Sequence, residues 1–320
     1  MTELVFGKKI RMDLREIWPN EATDFTPWLS QNIKSLGEAL GMDLELLRPE
    51  APVGDFSLDI LARDLGRNKH VIIENQLETT DHDHLGKLLT YAAGYDAGAI
   101  IWIAKEIREE HRQVIDWLNL HTEIGVEFFA VTIEVFKIDE SNPTYEFKPL
   151  AFPNDWRKAR IRAAEPGETS ERYETYREYF QKFIDKLREE HQFTNARRGQ
   201  PQSWYSFASS VNGAFYGHSF ARGNRIRTEV YIDSGDVDLN KNVFDHLQNL
   251  RESIESEFGE QLIWERLDNR RASRIGVYRE GNIGDRKETL EEISSWAIDR
   301  LLQFKRVFGD RLQEAFEQCQ

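Results

Sequence analysis

Asp59 and the triplet Glu74-Asn75-Gln76 are the residues of this sequence whose types and spacing suit catalysis. Over Asp55–Leu61 the pattern alternates, with Phe56, Leu58 and Ile60 on one face and Asp55, Ser57 and Asp59 on the other. Lys69–Leu77 has the same period of two, so Glu74 and Gln76 share a face and Asn75 points away. If Leu65–Asn68 close a hairpin, Asp64 pairs with Lys69, and counting back sets Asp59 opposite Glu74. Directly opposed strand residues have Cβ atoms about 5 Å apart, so the two carboxylates repel. A divalent cation between them removes the conflict. Oxygen ligands suit magnesium or manganese, and such an ion beside a phosphoryl group supports hydrolysis.

The flanking segments must hold these acids in place. Pro27–Leu40 carries Trp28, Leu29, Ile33, Leu36 and Leu40 at helical spacing, with Thr23 or Asp24 as its cap and Gly41 as its stop. Asp43–Arg48 alternates like a strand, which Pro49 and Pro52 are expected to break. In Glu78–His84 the residues Asp81, His82, Asp83 and His84 offer a zinc-type ligand set. The plainer reading prevails: Thr79, Thr80 or Asp81 caps a helix over Asp83–Gly94. That helix buries Leu85, Leu88, Leu89 and Ala92, and His84, Lys87 and Tyr91 form a neighbouring stripe. Ala99–Ala104 reads as a strand covered on both faces, followed by a helix over Glu109–Leu120 and a strand over Val126–Ile138.

Asp59 followed by Glu74-Asn75-Gln76 resembles the D…(D/E)-x-K signature of the PD-(D/E)XK, or restriction-endonuclease-like, nucleases. The order helix, three strands, helix, strand is similar to the αβββαβ core of that superfamily and covers roughly the first half of the chain. The resemblance implies a metal-dependent nuclease acting on DNA or RNA, with Asp59, Glu74 and the Asn75 backbone carbonyl holding Mg²⁺ or Mn²⁺. Gln76 stands where the signature has lysine. Some members carry that lysine on the following helix, which makes Lys87 the candidate, with Tyr91 beside it. Glu38 on the first helix and Glu45 on the first strand are possible additional acids. The whole chain resembles bacterial proteins that join such a domain to a DUF4268 domain, and the setting this implies is defence or nucleic-acid processing.

At 320 residues, with 40% hydrophobic and 31% charged residues, the chain fits two globular domains. We expect an α/β domain over 1–153, a linker over 154–170 and an α+β domain over 171–320. The second domain has an aromatic-striped helix over Glu171–His191 and strands at Trp204–Ser209, Ala214–Phe220 and Ile226–Asp233. A helix over Asn242–Phe258, strands at Leu262–Arg266 and Ser273–Tyr278, and a final helix over about Lys287–Glu317 complete it. No apolar run is long enough to span a membrane, no leader pattern opens the chain, and Cys319 is the single cysteine, all of which fits the cytoplasm. A net charge of −14 opposes nonspecific attraction to a polyanion. Even so, Arg197, Arg198, Arg222, Arg225 and Arg227 cluster among Trp204, Tyr205, Phe207, Phe215 and Tyr216, with Arg270, Arg271 and Arg274 forming a second cluster, a combination suited to nucleic acid. Two other readings stay open: a catalytically inactive nucleic-acid-binding or sensor module, and a protein-interaction module. A homodimer is possible.

Overall fold

The computed structural model describes residues 6–123, 125–153 and 169–319, and side chains for all of these except 169–173. The chain divides into two compact units: Met1–Leu40, Leu44–Asp64 and Lys69–Pro166, and Gly41–Asp43, Leu65–Asn68 and Gly167–Gln320. The expected linker lies outside the described residues, apart from Thr169 and Ser170, which begin a helix.

The first unit is a mixed α/β layer structure. Its elements are β1 (Lys9–Met12), α1 (Leu14–Ile17), a π-helical turn (Glu21–Phe25), α2 (Thr26–Gln31), α3 (Ile33–Leu40), β2 (Leu44–Val53), β3 (Phe56–Asp64), β4 (Lys69–Thr79), α4 (His82–Tyr95), β5 (Ala99–Glu106), α5 (Glu109–His121), β6 (Glu127–Ile138) and β7 (Thr144–Ala151). The sheet runs β1-β6-β5-β4-β3-β2, and β7 also pairs with β6. β2, β3 and β4 form an antiparallel meander, whereas β4, β5 and β6 are parallel. Parallel neighbours need crossovers, and α4 and α5 supply them. One core packs Leu88, Tyr91 and Ile115 of these helices against Leu61, Ile72, Ile100, Trp102 and Phe128. The central strand β5 has no more than 1% exposure over Ala99–Ala104, as its unbroken apolar run requires.

Three expectations are corrected here. Pro49 and Pro52 do not end the first strand: β2 runs on to Val53 with a register shift between Leu46 and Arg48. It is an outermost strand of the sheet, the position at which proline is tolerated. The helix expected over Pro27–Leu40 is two helices. At Asn32 the backbone leaves helical geometry (φ −110°, ψ 18°), and the side chain donates to the Trp28 carbonyl at 2.8 Å, competing with the helical ladder. Thr144–Ala151, not anticipated as a strand, extends the sheet as β7.

The second unit contains α6 (Thr169–Glu189), β8 (Trp204–Ala208), β9 (Ala214–Ala221), β10 (Arg225–Ile232), α7 (Val237–Asn249), α8 (Arg251–Phe258), β11 (Ile263–Glu265), β12 (Ser273–Glu280) and α9 (Lys287–Cys319). The helix expected over Asn242–Phe258 begins earlier and breaks at Leu250. The five strands form an antiparallel sheet in the order β11-β12-β10-β9-β8. Its core lies on one face: Tyr205, Phe207, Tyr216, Ile226, Val230 and Ile275 meet Phe180 and Phe183 of α6, Phe244 of α7 and Phe304 and Phe308 of α9. No helix among the described residues is long and apolar enough to cross a membrane.

Candidate active site

Asp64 pairs with Lys69, the register the sequence requires, and the pairing of β3 with β4 runs back to Ile60 opposite Ile73. Asp59 and Glu74 are the next residues along their strands. Here the ladder ends: the Asn75 N–H donates to Asp59 Oδ2 at 2.7 Å instead of to a backbone carbonyl. β4 also changes character at this level, with antiparallel β3 on one side and parallel β5, in register at Glu74 and Trp102, on the other. Strands part at such a switch point, and the carboxyl ends of parallel strands there leave a crevice suited to a ligand.

The two acids share one environment. Glu74 is 2% exposed, and its Oε2 is buried without a hydrogen-bond partner. Burial first, then the charge of Asp59, push its pKa up to about 8, against the opposing pull of Lys87 and the Asp59 N–H. Burial likewise drives Asp59 up to about 6, with Glu50 and Glu21 adding to the rise, while the Asn75 N–H and Lys87 oppose it. At neutral pH the pair therefore retains a proton. Lys87 reaches the pair from α4, its Nζ 3.9 Å from Glu74 Oε1 and its side chain about half exposed. Tyr91, one turn further along α4, is 2% exposed. Burial and the charges of Glu74, Asp59 and Glu50 raise its pKa, so the phenol stays a donor.

Gln76 is placed differently. Its Nε2 donates to the Thr79 carbonyl at 3.0 Å and to Asp81 Oδ2 at 2.7 Å, while its Oε1 is buried without a hydrogen-bond partner. Asp81 in turn caps α4 by accepting from the His84 N–H, and its Oδ1 lies 2.9 Å from His84 Nδ1. The Asn75 side chain points the other way, donating to Thr26 Oγ1 at 3.0 Å. His82 and His111 meet at 3.0 Å, with His111 also on Thr80 Oγ1. Among the described residues no three His, Cys, Asp or Glu side chains are grouped to hold one metal ion.

The other acids named from sequence stand apart from the pair. Glu38 is exposed on α3, and Glu45 lies 3.7 Å from Arg63. Glu21 and Glu50 are the acids whose charge bears on Asp59, and sequence reasoning missed both. Glu21 sits in the π-helical turn and accepts from the Leu77 N–H. Glu50 adopts φ 47° and accepts from Ser57 Oγ at 2.9 Å. A non-glycine residue in that backbone region costs about 1–3 kcal/mol and tends to sit at functional sites, but no sequence signal marks it.

The structure divides the arginine cluster. Arg197, Arg222 and Arg225 are exposed and Arg198 is half-buried. The Arg227 guanidinium lies 2.9 Å from the buried carboxylate of Glu229. Tyr205, Phe207 and Tyr216 are core residues and offer nothing to a ligand, whereas Trp204 and Phe215 lie outside the core.

No curated protein matches this chain. A solved structure, the crystal structure of a repair endonuclease from Pyrococcus abyssi, is similar at a TM-score of 0.25 and 12% identity, covering 29% of this chain and 41% of that one. The match spans less than half of that protein's length, and likeness at this level fixes neither fold nor activity. Residues 175–312 match the family described as Domain of unknown function (DUF4268), which accounts for most of the second unit.

Proposed function

We propose that the first unit is a divalent-metal-dependent nuclease domain of the restriction-endonuclease-like kind. The observation that carries this reading is the pairing of a buried Glu74 with a half-buried Asp59, with Lys87 beside them, at the point where β3 and β4 part. Two abutting carboxylates, one with an unpartnered buried oxygen, form a hard-oxygen donor set that suits Mg²⁺ or Mn²⁺. Asp59, Glu74 and the Asn75 carbonyl would hold the ion, with water and substrate oxygens completing its shell. When bound, such an ion acidifies a water and neutralises charge developing on phosphorus. Lys87 supplies the positive charge that Gln76 lacks, and Tyr91 would offer a protonated phenol as a donor at the site. The order α3–β2β3β4–α4–β5 also supports the resemblance.

The test is incubation of the full chain with single- and double-stranded DNA and RNA, with Mn²⁺ or with EDTA. Cleavage that needs Mn²⁺ supports the reading, and its absence on all four substrates overturns it. Lys87→Ala should slow cleavage about 10–100-fold with an unchanged melting temperature; an unaltered rate returns Lys87 to the surface. A second reading draws on Gln76, whose amide nitrogen is committed to Thr79 and Asp81. A site without that group at the metal suits a nucleic-acid reader, and a chain that binds oligonucleotides in EDTA and never cleaves them fits it.

A further inference from the structure

The open face of the second sheet has an order that the sequence hides. Register sets three rows across the strands. Trp204, Ser219, Arg227 and Tyr278 form one, and Ser206, Gly217, Glu229, Gly276 and Ile263 form the next. Ala208, Phe215, Tyr231, Arg274 and Glu265 form the third. The core lies on the opposite face, and none of Trp204, Phe215, Tyr231 or Tyr278 belongs to it.

The middle row is low and filled by one side chain, Glu229, which is 6% exposed. Gly217 and Gly276 flank Glu229 on both sides, and a Cβ on either would stand 3.2 Å from Glu229 Cγ or 3.0 Å from the Thr228 carbonyl. The outer rows rise as walls, roughly 13 Å apart by strand geometry. Planar groups line them: Phe215 and Tyr231 rings are 5.3 Å apart, Arg274 lies 5.6 Å over Tyr231, and Arg225 lies 5.1 Å over Tyr278. Glu229 is held by Arg227 and Arg274 at 2.9 and 3.1 Å. Ser219, 5% exposed, has its Oγ buried without a hydrogen-bond partner on this face. Arg222 and Arg225 at one end and Arg270 at the other are exposed, with Glu280 opposite Arg225 in the register. In a chain of net charge −14, this face carries exposed arginines at its ends and partly exposed aromatic rings on either side of a buried Arg227–Glu229–Arg274 cluster.

We infer that this face binds single-stranded nucleic acid, with bases lying across the sheet against Trp204, Tyr231 and Tyr278 and phosphates on Arg222, Arg225 and Arg270. Bases stack on aromatic and guanidinium planes whatever their identity, and only an unpaired strand offers them. The inference is independent of the metal chemistry proposed for the first unit.

The experiment measures binding of the full chain to labelled dT20, rU20 and a 20-base-pair duplex by anisotropy, in EDTA, from 50 to 200 mM NaCl. The two homopolymers decide between DNA and RNA. The expected result is at least tenfold tighter binding to one or both single strands than to duplex. Arg222→Glu with Arg225→Glu should weaken binding at least tenfold and reduce the salt slope by about 1.4, at about 0.7 for each lost phosphate contact. Trp204→Ala should weaken it about tenfold and Trp204→Phe less than threefold; if the alanine variant misfolds, the exposed arginine pair carries the test. Equal affinity for duplex, unchanged binding in the arginine variant, or no binding at 50 mM NaCl overturns the inference. A chain that binds through these residues but never cleaves with Mn²⁺ overturns the nuclease reading alone. A chain that cleaves but binds without these residues overturns this one alone.

Discussion

Asp59→Ala is expected to reduce Mn²⁺-dependent cleavage about 10³-fold or more, to the level seen in EDTA, with the protein still folded. Asp59 supplies a carboxylate within hydrogen-bond reach of the Asn75 N–H and beside Glu74, so its removal takes away half of the charged donor set. Transition-state stabilisation by a bound divalent ion is worth several kcal/mol, and each 1.36 kcal/mol is a factor of ten in rate. The fold should tolerate the change, because burial already disfavours the Asp59 charge and its removal relieves Glu74 of a like-charged neighbour. Cleavage by the variant at the wild-type rate would place the chemistry elsewhere.

Glu74→Gln should give the second large effect, on stability. Wild-type Glu74 ionises near 4.5 when unfolded and at about 8 when folded. Below pH 4.5 both states hold the proton and the group contributes nothing. Between 4.5 and about 8 the unfolded chain releases it while the folded chain retains it, so stability falls as pH rises across this window. Asp59 acts in the same direction between 3.8 and about 6. The metal-free protein should therefore lose on the order of 2–4 kcal/mol between pH 4 and pH 8, and Glu74→Gln, isosteric and uncharged, should recover about 2 kcal/mol at pH 8. For a unit of this size that is about 4–8 °C in melting temperature. Mn²⁺ should also raise the wild-type melting temperature, more at pH 8 than at pH 5.5, because the ion competes with protons for the pair. The Gln variant should respond weakly. A wild-type melting temperature that is flat from pH 5 to 8, or Mn²⁺ stabilising both proteins equally, would rule out a charged, metal-binding pair.

The parts of this site legible in sequence are those fixed by local periodicity. Alternation over Asp55–Leu61 and Lys69–Leu77, joined by Leu65–Asn68, was enough to set Asp64 against Lys69. Helical spacing put Lys87 and Tyr91 on one stripe, but packing sets the buried face one step round: Tyr91 joins Leu88 in the core, and Leu89, expected to be buried, is 41% exposed. Glu21 and Glu50 were not legible, since tertiary packing brings them near. Glu21 lies in a π-helical turn with no periodic pattern, and Glu50 follows a proline in a distorted outer strand. The arginine cluster shows the same limit. Counting residues found it, but only register separates Tyr205, Phe207 and Tyr216, which are core, from Trp204 and Phe215, which are not.

The margins of the first sheet carry a consequence for self-association. β2 and β7 each have one neighbour, and each contains proline: Pro49 and Pro52 in the former, Pro149 in the latter. Each proline removes a backbone donor from its strand, and Glu50, at φ 47°, breaks the regular backbone of β2 between its two prolines. Neither border offers the unbroken row of amides that templates strand addition. Fibril-like stacking through these two borders is therefore disfavoured.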